Sequence, residues 1–148
     1  MKYFIYVIIS LFFILSNNLK AEVKNLTLDI MGIDITQGGK IYLFVCDEES
    51  FFNEDSHNTC QTVLAFKPSL ERMKITIPIE EGVYGIYGYH FKSGDMIKET
   101  VPVMYSEIYK LLGTIGKRSI SSKPSFSSFS YNILRNQTII IRSHYSNW

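Results

Sequence analysis

Residues 40–46 read Lys-Ile-Tyr-Leu-Phe-Val-Cys, and apolar side chains fill nearly the whole stretch. In an extended chain, successive side chains point to opposite faces. Both faces of this stretch are apolar: one carries Ile41, Leu43 and Val45, and the other Tyr42, Phe44 and Cys46. A strand that is apolar on both faces is covered on both, so we expect a central strand of a sheet.

Alternation with a period of two continues on either side of this strand. Further alternating stretches cover residues 26–30, 60–66, 73–79, 83–91 and 138–142. About seven strands separated by short turns predict an all-β domain, as an antiparallel two-sheet sandwich with a small barrel as the alternative. We expect at most one short helix, near residues 106–112, and a long, partly extended connection from Gly113 to Ser130.

Proline and glycine positions add detail to the predicted sheet. Pro78 has no amide proton, so the strand over 73–79 should be an edge strand or should end there. Gly85 and Gly88 lie among tyrosines at positions 84, 87 and 89. Packing of a bulky side chain over bare backbone is favoured, and a flat shelf for stacking sugars is the alternative.

The N-terminus carries an export signal. Lys2 precedes an apolar run over residues 3–15, which ends in a polar stretch closing at Ala21. This order is typical of a secretory signal peptide, and the run is shorter than the ~20 residues of a membrane span. We expect cleavage after Ala21, with an uncleaved anchor or a shifted cleavage position as the alternative. This leaves a single domain over 22–148, periplasmic or secreted, with no transmembrane segment after cleavage.

The two cysteines, Cys46 and Cys60, fit that destination. An even number of cysteines in an oxidising compartment predicts a disulfide, with two free thiols as the alternative. Residues 22–148 carry 13 Lys and Arg against 14 Asp and Glu, so no overall charge favours nucleic acid as a partner.

Charge is nevertheless uneven along the chain, because residues 108–148 hold six basic residues and no acid. These groups either form a basic face for an anionic surface, such as lipopolysaccharide or teichoic acid, or fold back on the acidic loop Asp47–Asp55 and cancel, which is the favoured interpretation. Phe51 and Phe52 in that loop either plug one end of the domain, which is the favoured interpretation, or bind a partner. The candidate contact residues are Phe51, Phe52, Lys117, Arg118 and Lys123.

Catalytic and metal-binding motifs are missing from the sequence. There is no His-Glu-x-x-His and no Gly-x-Ser-x-Gly. His90, near Asp95 at a strand end, is the best acid–base candidate, although an exposed polar cap is the favoured interpretation. We therefore predict no catalytic residue, no metal and no cofactor.

Several segments together carry a resemblance. They are the strand over 40–46, the following Glu-Ser-Phe-Phe-Asn-Glu-Asp at 49–55, the Gly- and Tyr-rich strand over 81–90, Pro-Ser-Phe-Ser at 124–127, and the last apolar strand. In these the chain resembles the bacterial exported family catalogued as domain of unknown function 2141. The resemblance implies a small secreted or periplasmic protein with an immunoglobulin-like or transthyretin-like β-sandwich, and no catalytic residues. Residues 91–96 hold one acid, too few for the calcium-type loop of that family.

These observations favour an exported, non-enzymatic module that binds a component of the envelope or cell surface. The partner is a protein, a glycan or a lipid head group. One alternative is an envelope hydrolase that uses His90 and Asp95. Another is a structural subunit of a surface assembly.

Overall fold

The computed structural model describes residues 22–53, 56–91, 111–120 and 123–145. Eight strands account for most of them: β1 Val23–Met31, β2 Lys40–Cys46, β3 Thr62–Phe66, β4 Arg72–Glu80, β5 Gly82–Phe91, β6 Leu111–Gly116, β7 Ser130–Ile133 and β8 Gln137–Tyr145. Two one-turn helices, α1 Ser56–Thr59 and α2 Phe126–Phe129, and a 3-10 turn, Ile35–Gln37, lie in the connections. Within the described ranges, no helix has the length and apolar character needed to cross a membrane.

The strands form one sheet in the order β3-β2-β5-β6-β8-β1-β4. β5 pairs with β2 along one edge. Along its other edge it pairs with β7 near Gly82 and with β6 near Phe91. All pairs are antiparallel except β1 and β8, which run parallel with Leu28 opposite Ile139. The sheet is therefore mixed.

A short connection between the two terminal strands of the sheet makes it curl. Seven strands leave six gaps of about 4.8 Å, so a flat sheet would place β3 and β4 about 29 Å apart. Only residues 67–71 join the end of β3 to the start of β4, and this stretch reaches at most about 22 Å. The sheet accordingly bends into a half-barrel around one core.

The all-β prediction is confirmed, and its finer parts need correction. The described strands form a single curled sheet and not clearly a two-sheet sandwich, and the parallel β1–β8 pair makes a purely antiparallel arrangement wrong. Residues 111 and 112 begin β6, while 106–110 lie outside the described residues. Part of the connection expected over 113–130 is strand, and the described helices lie elsewhere, at 56–59 and 126–129.

The concave face of the sheet holds an aliphatic core. Its fully buried side chains come from both halves of the sheet: Leu26, Leu28, Ile30, Ile41, Leu43, Val45, Ile86, Ile115, Ile133 and Ile141. Burial of each such side chain stabilises the fold by about 1.5–3 kcal/mol. The alternation read from the sequence thus places one face of every long strand against this core.

The convex face of β2 and β5 is covered as well. Phe44, Tyr87 and Tyr89 are buried there beneath the 47–60 loop and the segment that contains α2. β2 lies between β3 and β5, so its prediction as a central strand is confirmed. β4 lies at the end of the sheet and contains Pro78, which confirms the edge-strand prediction.

The disulfide prediction is confirmed, because Cys46 and Cys60 are bonded to each other across a sequence separation of 14 residues. Cys46 ends β2, so the bond fixes the end of the 47–60 loop to the sheet.

Mass spectrometry of the unreduced protein should show Cys46 linked to Cys60. Reduction should lower the free energy of unfolding by about 3 kcal/mol, since opening a loop of this size restores entropy to the unfolded chain. A Cys46→Ala/Cys60→Ala variant should not respond to reductant. Two thiols that alkylate without reduction would contradict the pairing.

Candidate functional site

The loop over residues 47–60 is fixed by its own polar groups. The Asp47 carboxylate accepts a hydrogen bond from the Ser50 amide at 2.8 Å, and the Ser50 hydroxyl donates to the Thr59 carbonyl at 3.0 Å. Together with the disulfide, these bonds hold both ends and the middle of the loop. The loop therefore presents its two phenylalanines in a set position.

Phe51 lies on bare backbone. A Cβ atom at Gly85 would come within 2.3 Å of the Phe51 ring, so only glycine allows this approach. The ring is buried and lies 5.2 Å from Tyr87 and 5.4 Å from Phe126, centroid to centroid. The packing interpretation of the Gly- and Tyr-rich strand is thus confirmed. Since Tyr84, Tyr87 and Tyr89 are buried, they offer no open shelf for a sugar.

Phe52 differs from its neighbour because it is half-buried and its backbone has a φ of 55°. A bulky residue in this left-handed region costs about 1–3 kcal/mol, and such strain is concentrated at functional positions. Its ring contacts Tyr87 at 4.9 Å between centroids. The strained backbone thus holds the Phe52 ring on the loop with part of the ring exposed to solvent.

The basic residues between β6 and α2 also contact aromatic rings. The Arg118 guanidinium lies 5.7 Å from the centre of the Phe129 ring, and Phe129 lies 6.3 Å from Phe51. Lys117 lies over the Tyr131 ring at 5.3 Å, and Lys123 is exposed shortly before α2. The structure thus links three of the candidate contact residues, Phe51, Phe52 and Arg118, to one aromatic cluster, whereas the Tyr131 ring beneath Lys117 packs against the aliphatic core. We define the loop surface as Phe52, Lys117, Arg118 and Lys123.

Direct ion pairs do not neutralise these cations within the described part of the chain. The ion pairs found there join Lys24 to two glutamates, and Arg72 and Lys74 to Asp29. The expected cancellation of the basic segment against loop acids is therefore not seen as pairing between described residues. Lys117, Arg118 and Lys123 remain exposed charges.

His90 occupies a different position from the one predicted. The exposed cap is wrong, because the side chain is completely buried. Its Nε2 lies 2.6 Å from the Gly38 carbonyl, which can only accept, so Nε2 carries the proton. Nδ1 then accepts from the Tyr145 hydroxyl at 2.7 Å, and that oxygen accepts from the Asp34 amide at 2.9 Å. Asp95, the other half of the proposed acid–base pair, lies outside the described residues.

A glycine allows this buried network to form. Gly113 on β6 pairs with His90 on one side and with Tyr145 on the other. A Cβ atom at Gly113 would come within 2.7 Å of the Tyr145 ring, so the tyrosine reaches His90 across a bare strand. The network fixes the turn after β1 to the end of the half-barrel. Sequence analysis missed Tyr145 and Asp34, and the glycine inside β6 is the signal that could have indicated a close approach.

Comparison of the chain with known protein families, with curated proteins and with solved structures finds no match.

The His90 network should make stability depend on pH. Burial lowers the pKa of His90 from its ordinary value of 6.5. Since the unfolded chain binds this proton more readily, the stabilisation is complete above pH 6.5 and is lost as the pH falls toward the folded pKa. Chemical unfolding between pH 7.5 and pH 5 should show a slope of up to about 1.4 kcal/mol per pH unit from this group.

His90→Gln should remove that part of the slope. An unchanged slope in His90→Gln would show that this imidazole does not titrate on unfolding.

Gly85→Ala should displace the Phe51 ring and lower the free energy of unfolding by about 1–3 kcal/mol, because the added methyl group has no room. In a Phe51→Ala background the same change should cost about 1 kcal/mol less, since the clash is gone. Urea unfolding of the four proteins in this double-mutant cycle measures the coupling. Equal costs in both backgrounds would argue against ring-on-glycine packing.

Proposed function

We propose that the protein is an exported, non-enzymatic binding module of the bacterial envelope or of the extracellular space. Its leader, residues 1–21, directs export, and residues 22–148 form the functional domain, periplasmic or secreted. The resemblance to domain of unknown function 2141 supports this assignment. Under that resemblance, the immunoglobulin-like or transthyretin-like sandwich corresponds to the two halves of the curled sheet, which face each other across the aliphatic core.

The loop surface is the observation that carries the proposal. A half-buried aromatic ring with a strained backbone lies in one contact cluster with the exposed Arg118 cation, which comes from a segment more than 60 residues away in the sequence. The disulfide and the Asp47 and Ser50 hydrogen bonds hold the loop in advance, which reduces the entropy lost on binding. Loops fixed on a rigid sheet are where binding function is concentrated.

The chemistry of this surface favours an anionic component of the envelope. Exposed Lys and Arg groups attract negative charge, while the open part of an aromatic ring adds apolar contact. The partner is thus an acidic protein, an acidic glycan or a lipid head group. The disulfide is consistent with the oxidising conditions outside the cytoplasm, where such partners occur.

Replacing Lys117, Arg118 and Lys123 together with Ser should weaken retention of the mature protein on isolated envelopes at low salt, because three attractive charges are removed. Added salt should diminish the difference between variant and wild type. Co-sedimentation with envelope membranes over a salt series measures the effect.

A matched control changes the net charge equally at exposed positions elsewhere, with Lys40, Arg135 and Arg142 replaced by Ser. The control should retain binding. Equal loss in both triple variants would indicate a general charge effect, and unchanged retention in both would reject the loop surface.

A further inference from the structure

We propose that the open edge of β4 is a strand-accepting site for an extended segment of a partner protein in which apolar and acidic residues alternate. This site is separate from the loop surface, so the inference is tested independently of the function proposed above.

The two terminal strands of the half-barrel each lack a second neighbour within the described residues, because the pairing path begins at β3 and ends at β4. The connection over 67–71 brings one end of these strands together without pairing them. This leaves a seam between β3 and β4, where no described strand pairs with the outer backbone groups of either edge.

Core side chains are incompletely covered along this seam. Leu64 and Phe66 on β3, and Met73 and Ile75 on β4, pack against the aliphatic core but are only partly buried. Leu70, in the connection between the strands, is 62% exposed. Farther along β4, Ile77 and Ile79 are buried. The apolar gap therefore lies at the linked end of the seam.

The register shows which backbone groups point to the open edge. Asn25 lies opposite Pro78, and the Asn25 amide donates to the Asn136 side chain beside β8, away from β4. Pro78 has no amide proton to give, so this pair is not hydrogen-bonded. Because alternate residues point to opposite sides, Met73 and Ile75 bond to β1, while Lys74 and Thr76 direct their amides outward.

The same register defines the chemistry of an added strand. Residues opposite each other in neighbouring strands share a face. A residue beside Met73 or Ile75 would face the core and should be apolar. A residue beside Arg72 or Lys74, whose side chains are 53% and 62% exposed, would face solvent. Both cations pair with the Asp29 carboxylate, at 2.6 and 3.9 Å, so the three groups together leave one positive charge, and the facing residue should be acidic.

Charge also argues against a second copy of this chain as the occupant. Antiparallel pairing of two β4 edges about Lys74 would place like charges opposite each other, which is unfavourable. Lys and Pro on an edge strand are known protections against self-pairing. An acidic segment from another protein avoids this repulsion, because its carboxylates are attracted by the same Lys74 side chain.

Amide exchange followed by NMR on the mature protein tests the site directly. The probe is a synthetic peptide of about eight residues, an ordinary strand length, with Val and Glu alternating. In the free protein, the amides of Met73 and Ile75 should be protected, and those of Lys74 and Thr76 should exchange quickly. Adding the peptide should slow exchange at Lys74 and Thr76. Protection at these two positions before any peptide is added would show that the edge is already occupied, and would overturn the proposal.

Three variants separate the contributions of the backbone and of the charge. Thr76→Pro removes an outward amide and should weaken binding about fivefold, whereas Thr76→Val keeps the amide and should bind like wild type. Both variants lose the hydrogen bond between the Thr76 and Thr27 hydroxyls, so their difference isolates the backbone amide. Lys74→Glu should weaken the Val/Glu peptide about two- to fivefold and favour a Val/Lys peptide instead. Thermal unfolding of each variant checks that the fold is retained.

Three further results would overturn the inference. They are no exchange protection with the Val/Glu peptide, equal binding by Thr76→Pro and Thr76→Val, or a wild-type dimer that Thr76→Pro dissociates. The last result would assign the edge to a second copy. None of them depends on Lys117, Arg118 or Lys123, so failure here leaves the envelope-retention experiment unaffected.

Discussion

The five residues between β3 and β4 constrain the rest of the structure. They join the two strands at opposite ends of the pairing path, so a flat sheet is geometrically impossible. Curling encloses the aliphatic side chains of all the long strands in one core, including Leu28 and Leu43 from opposite halves of the sheet. It also leaves the terminal strands near each other but unpaired, so the same connection that forms the core leaves it partly open along the seam.

Curling gives the convex face two different environments. Over β2 and β5 it carries aromatic residues, and the disulfide-bonded loop and α2 cover them. Over β8, β1 and β4 it carries exposed polar residues, with Asp29 buried beneath Arg72 at hydrogen-bond distances of 2.6 and 2.8 Å. The Arg72 guanidinium lowers the pKa of Asp29, which keeps this carboxylate ionised. Of these two regions, the one over β2 and β5 has apolar residues on both faces of its strands. This is the pattern from which residues 40–46 are predicted to form a central strand.

Features that depend on a short stretch of sequence could be predicted, whereas contacts between residues far apart in the sequence could not. Period-two alternation, the missing amide of Pro78 and the even cysteine count are properties of short stretches, and each gave a correct result. The parallel β1–β8 pair and the His90–Tyr145 contact join residues 55 or more positions apart, which no local pattern encodes. β6 and β7 were missed because Gly and Ser suppress strand signals where neighbouring aromatic rings require a bare backbone, as Phe129 does over Gly116.

The uneven charge of the chain shows how topology redistributes a sequence feature. The basic segment after residue 108 does not form one face. Arg118 lies over Phe129 in the aromatic cluster beneath the disulfide loop, and Lys117 lies over Tyr131, which packs against the aliphatic core. Arg142, in contrast, lies on β8 opposite Met31, which in turn pairs with Arg72. Since β1 separates Arg142 from Arg72, cations that are distant in sequence share the open convex face, and cations that are close in sequence are divided between two surfaces. Each of those surfaces therefore has its own local field, and the small net charge of residues 22–148 describes neither.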